Sequence, residues 1–154
     1  MADIIPRVFI DDQASGRVNF ASDDMKMALF NNVFNDCVLK DIVSYDQIKQ
    51  YEIPECCGYY TGGLIVSNPT VGYDNNDGSI FYNINDIGMT VSGGTLGPTR
   101  YGVIYNTSTG HLVYIFDFQE DKTVNDGANF KIKIDDNGLM KAMQLYECPV
   151  EPEL

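Results

Sequence analysis

Between residues 98 and 118 apolar and polar positions alternate twice, on either side of a short polar loop at 106–110. In the first run Tyr101, Val103 and Tyr105 share one face, with Arg100, Gly102 and Ile104 on the other. In the second, Leu112, Tyr114, Phe116 and Phe118 align. Side chains alternate along a strand, so apolar residues at every second position mark a face that must be buried. With β-branched and aromatic residues flanking turn residues, the stretch predicts a β-hairpin.

The same reading extends along the chain. Residues 25–30, Met-Lys-Met-Ala-Leu-Phe, predict a strand that stops at Asn31 and Asn32. A strand at 62–66 is broken by Asn68-Pro69. Residues 74–78, Asp-Asn-Asn-Asp-Gly, predict a tight turn, because Asn, Asp and Gly tolerate left-handed backbone angles. A strand at 79–84 follows, with Ile80, Tyr82 and Ile84 on one face, then a short one at 89–91. Beyond the hairpin, 119–127 reads as a polar loop. Phe130, Ile132 and Ile134 then alternate with Lys131 and Lys133, the signature of a half-buried strand. Residues 135–138 turn the chain into a last strand at 139–145. One helix is predicted, at 44–51, where Ser44 and Gln47 form a capping box, Ile48 faces the core and Pro54 forbids continuation.

Residues 1–24 carry a short apolar run from Ile4 to Ile10, broken by Pro6, which reads as an edge strand or as an arm that pairs with a neighbouring subunit. Residues 146–154 hold two prolines and three acids and read as an extended tail. The whole predicts a single domain at 25–145 between these two segments. The expected fold is all-β: an antiparallel, jelly-roll-like β-sandwich of about eight strands with one short helix.

Charge and chemistry narrow the function. Ten basic residues against 22 acidic ones leave a formal net charge of -12. The basic residues never form a run, which argues against nucleic-acid binding. An acidic surface suits solubility and attraction to a positively charged partner. No stretch approaches the roughly 20 apolar residues that span a bilayer. The N-terminus has an acid at Asp3 and no apolar core, so no secretory signal is expected. In a reducing cytoplasm Cys37, Cys56, Cys57 and Cys148 read as free thiols. No zinc spacing is present, and adjacent cysteines such as Cys56 and Cys57 rarely bond to each other. The acidic turn at 74–78 fails as an EF-hand, since Gly78 holds the fifth place and Asn85 the twelfth. His111, the single histidine, has no cysteine near it in sequence. The segment 93–98 lacks the lysine and following helix of a phosphate loop. The chain therefore reads as a non-enzyme without cofactor or metal.

Ten tyrosines and eight phenylalanines supply more aromatic surface than a core of this size needs. Tyrosine is enriched at interfaces, where its ring is buried and its hydroxyl stays wet. Core packing, a protein interface and a glycan-stacking surface are all open readings of these residues. The candidate interface residues are Ile4, Ile5, Val8 and Phe9 in the N-terminal segment, with Tyr59, Tyr60, Tyr101, Tyr105 and Tyr114 in or beside strands.

Four segments together resemble a family of small virion structural proteins of tailed bacteriophages: Lys26-Met-Ala-Leu-Phe-Asn-Asn32, Gly58-Tyr-Tyr-Thr-Gly-Gly63, Arg100-Tyr-Gly-Val-Ile-Tyr105 and Leu112-Val-Tyr-Ile-Phe-Asp-Phe118. Phe130-Lys-Ile-Lys-Ile-Asp-Asp-Asn-Gly138 is similar to the family's final strand and turn. The likeness runs from about residue 25 to 145, and Met89 stands where family members tend to have tryptophan. The resemblance implies a non-enzymatic particle component that decorates or cements the capsid exterior, made in the host cytoplasm and carried on the virion. The expected partners are the major capsid protein and further copies of the chain itself, and because closed symmetry is the rule for such assemblies a trimer is favoured over a dimer. The alternatives are a tail- or fibre-associated subunit and a carbohydrate-binding attachment module.

Overall fold

A computed structural model describes residues 2–31, 39–136 and 138–142. Its strands are β1 (Ala2–Ile4), β2 (Met25–Phe30), β3 (Leu64–Ile65), β4 (Thr70–Asp74), β5 (Ser79–Asn83), β6 (Ile87–Thr90), β7 (Leu96–Asn106), β8 (Leu112–Val124), β9 (Asn129–Ile132) and β10 (Met140–Ala142). Two α-helices, α1 (Arg7–Ser15) and α2 (Tyr45–Ile48), and two 3-10 turns, Leu39–Asp41 and Lys49–Tyr51, complete the described elements. The strands form three separate open sheets, in the orders β1-β8-β7-β2-β3, β10-β5-β4 and β6-β9, and every pairing is antiparallel.

This mixed α/β arrangement overturns the expected all-β, jelly-roll-like sandwich. In a two-sheet sandwich each sheet keeps one face in water. Here the inner part of the five-stranded sheet, formed by β2, β7 and the first half of β8, is covered on both. Met25, Met27 and Leu29 of β2 pack into one apolar cluster with Ile104, Tyr114 and Phe116, closed over by Phe9, Phe20, Ile87, Phe130 and Ile132. Ala28 and Phe30 face the other way, into a second cluster with Tyr101, Val103, Tyr105, Leu112 and Ile115. Ile42 and Ile48 of the short helical segment close that side. Helical turns thus occupy the place that a second large sheet would take.

The predicted hairpin forms from β7 and β8, with Val103 opposite Ile115 and Ile104 opposite Tyr114. A register irregularity between Ile104 and Tyr105 sends Leu112 to the face opposite Tyr114 and Phe116, so the four apolar residues of β8 do not align as expected. β8 also runs on to Val124, through the residues expected to be a polar loop. At 119–123 the strand is exposed, so nothing there requires apolar alternation. The capping box at α2 is present, Gln47 Oε1 accepting from the Ser44 N–H at 3.1 Å, and Ile48 is buried. The alternation in β9 is also observed, with Phe130, Ile132 and Ile134 buried.

Residues 2–4 form the edge strand β1, paired with β8 of the same chain. The apolar run behind it is helical. Pro6 stands at the N-cap of α1, where a missing N–H costs nothing, and Gly16 closes the helix in the left-handed conformation. Cys56 and Cys57 are joined by a disulfide, against the expectation of free thiols. Cys57 takes a φ of 63°, and both sulfurs lie close to Gly94, where a Cβ would come within 3.1 Å of the Cys57 sulfur. Residues 143–145 of the expected last strand, the tail at 146–154, Cys37 and Cys148 lie outside the described residues.

Candidate interaction surface

Most of the candidate interface residues are core residues of this chain. Phe9 is 4% exposed and Tyr59 1% exposed, and Tyr101, Tyr105 and Tyr114 are buried as well. Ile4 and Val8 are half-buried against the second apolar cluster, and Ile5 is partly exposed. Only Tyr60 is widely open to solvent. Because Phe9 and Phe20 complete the first cluster, residues 2–20 belong to the fold, and removing them removes core.

The buried tyrosines are held by carboxylates. Glu52 accepts hydrogen bonds from the Tyr45 hydroxyl, from the Tyr59 hydroxyl at 2.6 Å and from the Gly62 N–H at 2.9 Å. The Tyr59 oxygen in turn accepts from the Leu29 N–H of β2 at 2.8 Å. Tyr105 stacks on Tyr45 with ring centroids 4.4 Å apart and donates to the Gly62 carbonyl at 2.6 Å. Tyr114 donates to Asp3 of β1 at 2.7 Å. Burial, and then the adjacent carboxylate, pushes the hydroxyls of Tyr45, Tyr59 and Tyr114 far above their ordinary range. These groups tie the 45–63 segment and the N-terminus to the central sheet.

His111 is engaged as well. Its Nδ1 lies 2.8 Å from Oδ2 of Asp12, a buried carboxylate of α1 whose other oxygen accepts from Arg17 Nε at 2.8 Å. Burial alone would raise the Asp12 pKa, but the bonds from Arg17 and His111 outweigh it and hold the carboxyl below its usual range. The contact pins α1 to the mouth of the β7–β8 hairpin, beside a cleft of about 370 Å³ lined by Val8, Val43 and His111 among others. Asp12→Asn is expected to lose about 1.5–3 kcal/mol, the worth of hydrogen bonds to a charged group. A depressed carboxyl stabilises the fold above its unfolded pKa of about 4 and loses that contribution as pH falls through the lower folded value. Urea titrations at neutral and acid pH should therefore show the Asn variant converging on the parent as the medium is acidified.

The acidic turn at 74–78 is committed to its own geometry. Asp74 accepts from the Asn76 N–H at 2.9 Å, and Asp77 accepts from the Ser79 N–H at 2.9 Å and from its hydroxyl. The Lys141 ammonium lies 3.2 Å from both carboxylates. The Ser79 bonds, and then Lys141, bring the Asp77 pKa down to about 2. Among the described residues no group of three His, Cys, Asp or Glu side chains could hold a metal ion.

What remains exposed falls into two places. Ile5, Ile10 and Val43 lie at or near α1. Tyr60, Ile65, Val71 and Tyr73 are 70, 73, 46 and 76% exposed; Tyr60 precedes β3, Ile65 lies on β3, the outer strand of the five-stranded sheet, and Val71 and Tyr73 lie on β4, the outer strand of the three-stranded one. Ile65, Val71 and Tyr73 were not among the residues expected at an interface. Ile65 falls inside the strand expected at 62–66, and the trace of the other two is Val71-Gly-Tyr73, an alternation weakened by the intervening glycine.

Most basic residues of the chain are paired with acids. Arg7 pairs with Asp41, Arg17 with Asp11 and Asp12, Lys49 with Asp46, Arg100 with Asp117, Lys122 with Glu120, Lys131 with Asp86, and Lys141 with Asp74 and Asp77. Such pairs at the surface contribute little stability. They do cancel the local field of seven of the ten basic residues, leaving the acidic excess to dominate. No helix among the described residues is long and apolar enough to cross a membrane. Comparison with family models, with curated proteins and with solved structures finds no match to this chain.

Proposed function

We propose that this chain is a structural component of a tailed-phage particle that coats the outside of the capsid in many copies and steadies the shell by bridging its subunits. The observation that carries the reading is the pairing of exposed Tyr60, Ile65, Val71 and Tyr73 with an acidic surface whose cations are largely neutralised. Aromatic and aliphatic side chains held in water are the ordinary material of protein contacts. The charge opposes non-specific clustering of free copies and draws them to a basic face. The segments that resemble the phage family also bear on it: 26–30, 100–105 and 112–118 are the adjacent strands β2, β7 and β8 at the centre of the large sheet. A protein that binds only the assembled lattice stabilises that lattice by mass action, and bridging adds avidity to modest contacts.

The test is to mix the purified chain with phage shells that lack it and measure co-sedimentation. Saturable uptake at a fixed ratio to the shell protein is the expected result. Absence of uptake, or binding confined to tails, overturns the reading. The exposed rings of Tyr60 and Tyr73 also fit stacking on sugars, so a glycan array with the same protein tests the attachment alternative.

A further inference from the structure

We propose that β4 is a self-association edge through which two copies join, strand to antiparallel strand, with Gly72 of each on the two-fold axis. Among the described residues β4 is the outer strand of its sheet, with no strand beyond it. Natural sheets guard such edges with lysine, proline or a bulge. The five residues of β4, Thr-Val-Gly-Tyr-Asp, hold no lysine or proline, their single charge, Asp74, stands at the end of the strand, and they pair with β5 without a register break. Val71 and Tyr73 point to the same face of the strand and stand in solvent.

The sequence of β4 is self-complementary in one register. A two-fold axis perpendicular to an antiparallel pair places one residue opposite itself, and centring on Gly72 is the choice that pairs all five residues. Val71 of each copy then lies opposite Tyr73 of the other, an aromatic with a β-branched residue, a favourable cross-strand combination. Asp74 falls opposite Thr70 rather than opposite another acid. The charge on Asp74 is already answered by Lys141 of its own chain, so the edges meet without an uncompensated like-charge contact. On the other face the Phe81 ring lies over Gly72, in the space a side chain there would fill. Two such rings come side by side when the strands are about 4.8 Å apart. The product is a continuous six-stranded sheet in the order β10-β5-β4-β4-β5-β10. An antiparallel edge contact closes as a dimer, so this surface yields two-fold rather than three-fold assembly.

The dimer rests on the reading of residues 60–73 as contact surface, not on the identity of the shell, and Tyr60 and Ile65 stay free for another partner. Sedimentation velocity of the full chain at low and high sodium chloride tests it. A monomer–dimer equilibrium that tightens with salt is expected, because each copy carries a charge of -12 that salt screens. Val71→Lys and Tyr73→Lys, both at solvent-exposed positions, are each expected to raise the dimer dissociation constant about tenfold or more, and Val71→Ile to leave it in place. Circular dichroism and melting of the lysine variants should match the parent. A chain that is monomeric in both salts, a trimer, or a dimer unmoved by either lysine overturns the proposal. Shell uptake is scored separately. Wild-type protein that dimerises yet ignores shells defeats the capsid reading alone, and protein that decorates shells as a monomer defeats the dimer alone.

Discussion

Replacing Gly63 with alanine is expected to cost about 3–5 kcal/mol, enough to remove much of the 5–15 kcal/mol by which a domain of this kind is stable. Two causes act together. Gly63 has a φ of 101°, a conformation that L side chains rarely adopt. A Cβ there would lie 2.1 Å from the Met27 carbonyl oxygen and 2.7 Å from the Ala28 nitrogen. Those atoms are backbone of β2, in the middle of the large sheet, and cannot swing aside as a flexible side chain would. Relief requires β3 to leave β2, which uncovers Leu64 and the buried Val66. Gly110→Ala is the control. It shares a positive φ, 76°, but its Cβ would meet nothing within 4 Å, so the backbone strain stands alone at about 1 kcal/mol. Chemical denaturation of the two variants beside the parent measures the difference.

Glu52→Ala carries the second large effect, about 3–4 kcal/mol, because one half-buried carboxylate accepts from Tyr45, Tyr59 and the Gly62 N–H at once. Its removal leaves the Tyr59 hydroxyl, still accepting from Leu29, without an acceptor for its own proton in a buried site. Tyr59→Phe should cost less, and the double variant should lose less than the sum, since both remove the same bond. The network has a pH signature as well. Hydroxyls whose folded pKa lies above the unfolded value of about 10 contribute stability in full below that pH, and lose it as pH rises toward the folded value. Alkaline titration followed by tyrosinate absorbance should therefore show Tyr45, Tyr59 and Tyr114 ionising only as the chain unfolds. In Glu52→Ala, Tyr45 and Tyr59 lose the carboxylate that helps to hold them neutral. The urea midpoint at neutral pH measures the main loss.

The local elements that were legible in the chain share a physical reason: their pattern is set within a few residues. The hairpin strands announce themselves through Tyr101, Val103 and Tyr105, α2 through Ser44 and Gln47, and β9 through Phe130 and Ile132. What was not legible depends on partners far along the chain. Helix α1 hid because the run from Ile4 to Ile10 is apolar at neighbouring positions, so strand and helix templates fit it equally. The sandwich failed because β2 is buried on both faces, and the cover on one of them comes from 3-10 and α turns at 39–51 that carry little apolar pattern of their own. The candidate tyrosines misled in the same way. Their rings suit an interface or a core equally, and the carboxylates that accept from Tyr59 and Tyr114 are Glu52 and Asp3, the latter 111 residues away in sequence.

Among the described residues the inner strands of the large sheet are covered on both sides, and the exposed apolar side chains nearest the sheets sit on outer strands, Ile65 on β3 and Val71 and Tyr73 on β4. Binding of the kind proposed would use rims, the outer strands β3 and β4, rather than a face of the large sheet. Substitutions there can redirect attachment while the sealed interior goes on folding as before, so binding choice and structural integrity are free to change independently of one another.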